Sequence, residues 1–105
     1  MTIAATSTTN GRAIELANTA SFDSIVNCLI TVPATTLTTT AVVGIYANLL
    51  TGASNTIKGN TISNGTTGIY LNGTALTNLT YDNVIDSNII NESYNYGIYI
   101  NRSRK

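Results

Sequence analysis

The stretch "NTISNGTTGIYLNG", Asn60 to Gly73, contains two short patterns that both recur elsewhere in the chain. Its second half carries Gly68-Ile69-Tyr70-Leu71-Asn72, matched by Gly44-Ile45-Tyr46-Ala47-Asn48 and by Gly97-Ile98-Tyr99-Ile100-Asn101. With 8 Gly, 6 Tyr and 13 Ile among 105 residues, chance ordering gives about 0.06 copies of Gly-Ile-Tyr. Its first half overlaps Ile57-Lys58-Gly59-Asn60-Thr61-Ile62, which returns as Ile85-Asp86-Ser87-Asn88-Ile89-Ile90. Two unrelated markers keep one order, which is the mark of an internal repeat.

The Gly-Ile-Tyr copies are spaced by 24 and 29 residues. In that register the N-terminal third also aligns. Ala13-Ile14-Glu15-Leu16 stands where Gly-Ile-Tyr-x does, and Ile25 to Ile30 repeats Ile-x-x-Asn-x-Ile with Cys28 in place of asparagine. The resulting units are an irregular first coil over 11–43, regular coils over 44–67 and 68–96, and a partial coil over 97–105. Residues 1–105 therefore read as one β-solenoid domain or a fragment of one. Repeats of roughly 20–30 residues holding short β-type segments cannot bury an apolar face singly and have to stack.

Strand geometry turns Ile69 and Leu71 inward and Tyr70 outward. Stacking then predicts buried files of Ile45–Ile69–Ile98, Ile57–Ile85 and Ile62–Ile90. Asn60 and Asn88 fall at a turn, one above the other, where their amides can form a structural ladder. Cys28 occupies the same slot without an amide, so the ladder is expected to begin at Asn60.

Composition supports β-structure: 14 Asn and 19 Thr disfavour helix, because short polar side chains compete for its backbone hydrogen bonds. Five acidic and five basic residues give no net charge, and nothing steers the chain to nucleic acid. No apolar run reaches the ~18 residues a spanning helix needs, and the first ten residues lack the basic and apolar regions of a signal peptide. The absence of histidine excludes imidazole catalysis and His-ligated zinc, and one cysteine excludes an intramolecular disulfide.

The repeat resembles that of right-handed parallel β-helix proteins, the pectate-lyase-like superfamily with its carbohydrate-binding and sugar-hydrolysing domains and phage tailspikes. The resemblance covers residues 44–101 well and 11–43 loosely. It implies an all-β fold, a short right-handed parallel β-helix of about three to four coils. It also implies an extracellular, cell-surface or virion setting, though not one function, since such coils carry lyases, hydrolases, adhesins and stalks alike.

In polysaccharide-cleaving members, clustered acids on an exposed face do the chemistry. Here Asp82 and Asp86 flank one strand, and Glu15 or Asp23 from neighbouring coils are the other acids that could contribute. Hydrolysis needs carboxylates about 5–9.5 Å apart around a sugar ring, and a cross-strand ion pair between Asp86 and Lys58 is the simpler expectation. No cofactor or metal is implied. Tyr46, Tyr70 and Tyr99 form an outward stripe that stacks on itself, contacts a protein or takes a sugar.

The expectation is a non-catalytic structural or interaction module. Bare coil ends at Ile98 and Ile100 would associate with copies of itself or with flanking solenoid coils. The alternative is a carbohydrate-binding or polysaccharide-cleaving β-helix using the tyrosines and Asp82/Asp86.

Overall fold

The computed structural model describes residues 1–74 and 80–104. Among them are thirteen short strands and no helix: β1 (Thr2–Ala4), β2 (Arg12–Glu15), β3 (Ser24–Val26), β4 (Leu29–Thr31), β5 (Val43–Leu50), β6 (Thr56–Lys58), β7 (Thr61–Ser63), β8 (Thr67–Gly73), β9 (Thr80–Tyr81), β10 (Val84–Asp86), β11 (Ile89–Asn91), β12 (Tyr96–Asn101) and β13 (Ser103–Arg104). Every strand pairing is parallel. The chain winds repeatedly past three faces, ordered β2-β5-β8-β12, β3-β6-β10 and β1-β4-β7-β11, with a short β9-β13 pair at a corner. The protein is an all-β parallel solenoid of about three turns.

Register is set by isoleucine. Ile14, Ile45, Ile69 and Ile98 are Cα partners up one face. Ile25, Ile57 and Ile85 share the second, and Ile3, Ile30, Ile62 and Ile90 the third. The three files meet in one core centred on fully buried Ile30, Ile45, Ile62 and Ile69. Burying one such side chain stabilises by about 1.5–3 kcal/mol, and a one-residue slip would turn a whole file to solvent.

The predicted files are thus in register and each continues to a lower coil, but Ile98, expected to be buried, is exposed because no coil covers the upper end of its file. The strand β1 was not anticipated, although Thr2-Ile3-Ala4 has the same shape as Leu29-Ile30-Thr31 beneath which it pairs. The sequence unit 68–96 includes residues 75–79, which lie outside the described residues.

The glycine of Gly-Ile-Tyr has a steric cause. A Cβ on Gly44 would sit 2.5 Å from Cγ2 of Ile62 and 2.7 Å from the Gly68 carbonyl oxygen. At Gly68 the same distances hold to Ile90 Cγ2 and the Gly97 oxygen. The long connection between β4 and β5 is held by its ends: Val32 and Val42 are buried, the Gly65 and Thr66 N–H groups donate to the Pro33 and Val42 carbonyls, and Thr66 Oγ1 donates to Leu37 O.

Candidate functional site

Two corners of each coil use the same device, a left-handed residue followed by asparagine or aspartate, with Cys28 as the one exception. At the second corner Asn27, Gly59 and Ser87 have φ of 54°, 66° and 54°. Asn60 follows, fully buried. Its Nδ2 donates to Ile25 O below at 2.9 Å and to Asn88 Oδ1 above at 3.0 Å, while its Oδ1 accepts from the Cys28 N–H at 2.9 Å. Asn88 repeats the downward bond, to Ile57 O. The expected ladder of Asn60 and Asn88 is present, and Cys28 enters it through its backbone alone.

A second ladder escaped the sequence reading. Phe22, Ser54 and Asp82 have φ of 60°, 60° and 52°, and Asp23, Asn55 and Asn83 follow them. Asn55 Oδ1 accepts from the Asp23 N–H at 3.1 Å, and Asn55 donates both its N–H and its Nδ2 to Asn83 Oδ1. The signal was there: the repeat is Asx-x-Ile-x-x-Asn-x-Ile over 55–62 and 83–90, two residues longer than the marker used. A third stack joins Asn101 Nδ2 to Asn72 Oδ1 and Asn72 Nδ2 to Asn48 Oδ1 at 3.0 and 2.8 Å. Holding a non-glycine residue in the left-handed region costs about 1–2 kcal/mol, and hydrogen bonds of about 0.5–1.5 kcal/mol each offset it at both corners.

The three tyrosines come together as a stack. Tyr46 and Tyr70 have centroids 5.2 Å apart and planes 14° apart; for Tyr70 and Tyr99 the values are 4.8 Å and 7°. The Arg12 guanidinium lies 3.6 Å from the centroid of Tyr46, and Tyr96 tilts by 48° against Tyr99. Tyr46 points away from the core yet is only 7% exposed, because Arg12 and Tyr70 cover it. Ring faces are what a sugar stacks on. Both faces of Tyr70 and of Tyr46 are already occupied, so these two rings offer only their edges. Burial, then the neighbouring Tyr99 and Tyr46, push the Tyr70 hydroxyl above its ordinary pKa, against a smaller opposing effect of Arg102.

Asp82 and Asp86 have separate environments. Asp82 is the exposed left-handed corner residue before β10. Asp86 pairs instead with Lys58, its register partner one coil down, at 3.0 Å. Hydrogen bonds from Lys58 and then Ser87 hold the Asp86 carboxyl below its ordinary pKa. Among the described residues no three of Cys, Asp and Glu gather as metal ligands, and no pocket forms.

The C-terminal end is the remaining feature. Ile98 is 45% exposed where Ile45 and Ile69 are 0%, and Ile100 is 51% exposed where Leu71 is 1%. The last-coil strands β10, β11 and β12 each keep one unpaired edge. No family model, curated protein or solved structure matches the chain.

Proposed function

We propose that this chain is a non-catalytic structural and interaction module, a β-solenoid segment whose C-terminal end face receives a further parallel coil. The observation that carries this reading is the jump in exposure from Ile69 and Leu71 to Ile98 and Ile100 within the same two files. An uncovered layer of core isoleucine flanked by open strand edges is a template for another β-segment. On the resemblance of its repeat, we assign it to right-handed parallel β-helix proteins of the pectate-lyase-like type, working in a secreted, cell-surface or phage-tail assembly.

Sedimentation velocity tests the reading. The chain is expected to associate with rising concentration, and Ile98→Lys, which places a charge on the end face, to abolish this. A strictly monomeric wild-type chain would contradict it. A glycan array bears on the alternative: binding by the wild type that Tyr70→Ala loses would displace the scaffold role in favour of carbohydrate recognition.

A further inference from the structure

The three faces do not end at one height. The first and third hold four strands each, β2-β5-β8-β12 and β1-β4-β7-β11, and the second holds three, β3-β6-β10. The winding stops after β12 on the first face, so its next open position lies on the second face, above β10. A second copy begins on its third face, with β1. Seated with β1 on β11 and β2 on β12, it leaves that position empty and β3 two coil spacings from β10. The end face is shaped for a strand order that the chain's own N-terminal end does not offer.

Three kinds of group at this end fit a coil in that position. Gly97 has no left-handed φ, and a Cβ on it would lie 3.9 Å from its nearest contact, so nothing in the chain itself requires glycine there. At Gly44 and Gly68 the coil above does require it, through a carbonyl oxygen 2.7 Å from the Cβ position. Asn55 and Asn60 donate their N–H groups to Oδ1 of Asn83 and Asn88 one coil up, at 3.1 and 3.0 Å. The N–H groups of Asn83 and Asn88 find no such acceptor among the described residues. Asn72 Oδ1 accepts from Asn101 Nδ2 above it, whereas Asn101 Oδ1 meets no further rung.

We propose that the C-terminal end face binds one coil of this same repeat from a different chain, entering on its second face and running second, third, first. In sequence such a coil reads Asx-x-Ile-x-x-Asn-x-Ile followed by Gly-Ile. The proposal rests on the reading that the end face takes a coil, and it fixes that coil's strand order and chemistry. The three incoming strands add to β10, β11 and β12, their isoleucines cover Ile85, Ile90 and Ile98, and their corner oxygens accept from Asn83 and Asn88. Residues 55–73 have this order, for β6, β7 and β8 sit in the same way on β3, β4 and β5 within the chain.

The test titrates isotope-labelled chain, dilute enough to be monomeric, with a synthetic peptide of residues 55–73. Amide shifts are expected along β10, β11 and β12 and not along β1, β2 and β3. A peptide of the same composition with 67–73 moved ahead of 55–66 should bind about tenfold more weakly, because one of its isoleucine segments is left uncovered. Gly97→Ala should also weaken binding by about tenfold, since its methyl meets the incoming carbonyl, while the free chain keeps its stability. Should Gly97→Ala lose β-type circular dichroism, Ile98→Lys takes its place.

Equal binding of the two peptides would overturn the strand order, and unaltered binding to the end-face variant would overturn the site. If neither peptide binds at millimolar concentration while the chain still associates with itself through Ile98, the proposal falls and the end-face reading survives. If the chain does not associate either, both fall.

Discussion

The Cγ2 methyl of Ile90 stands 2.5 Å from where a Cβ on Gly68 would lie, so the third face of one coil packs directly against the start of the first face. The same atom is 3.9 Å from the equivalent point on Gly97, which has no further coil beside it. Gly68→Ala therefore forces backbone or isoleucine to shift and should destabilise by about 1–3 kcal/mol, whereas Gly97→Ala should change the denaturation midpoint little. Equal effects in urea unfolding would contradict this packing.

Asn60 is fully buried with both ends of its amide engaged. Asn60→Ala leaves the Cys28 N–H without its acceptor and should cost about 1–3 kcal/mol for that group, with a smaller loss from the missing Nδ2 bonds to Ile25 O and Asn88 Oδ1. Asn60→Asp restores the acceptor but not the donors, so its loss should persist at neutral pH. Thermal unfolding of the two variants beside Asn88→Ala, whose site is less covered, checks the order.

These two sites show how far the sequence was legible. Period and register could be read because Ile45, Ile69 and Ile98 repeat as identical residues in identical surroundings. Asn60 and Asn88 were found for the same reason. The second ladder was not, since its lowest member is Asp23 and the marker stopped at Ile57 and Ile85, two residues short of Asn55 and Asn83. The burial of Tyr46 was hidden differently: alternation says only that a side chain leaves the core, and the cover comes from Arg12, over thirty positions earlier in the chain. Association at Ile98 depends on what approaches that face, which no repeat encodes.

The raised pKa of Tyr70 makes a pH prediction with a definite sign. Its folded-state value lies above the ordinary 10.0, so the unfolded chain loses its proton first. Stability from this group is complete below about pH 10 and declines as pH rises through the folded value. Tyr70→Phe should flatten that alkaline decline in a series of melting curves, and an unchanged slope would point to another tyrosine.

Asp86 gives the opposite case. Its pKa is lowered chiefly by the hydrogen bond from Lys58, so its contribution is present above the unfolded carboxylate range and lost as pH falls through the lowered value. Both partners are about half exposed, which makes the contribution small. Carboxyl NMR should find the Asp86 titration moved upward in Lys58→Met, with the Ser87 bond keeping part of the depression.

The account stands on coils lying in parallel register, and isoleucine methyl contacts measure that directly. With only isoleucine δ1 methyls protonated, nuclear Overhauser spectra should connect Ile14–Ile45–Ile69–Ile98, Ile25–Ile57–Ile85 and Ile3–Ile30–Ile62–Ile90 as three consecutive ladders. Ladders broken so that Ile45 and Ile69 do not meet, or strong cross-strand Hα–Hα contacts of antiparallel pairs in a second, fully protonated sample, would contradict the fold and every inference built on it.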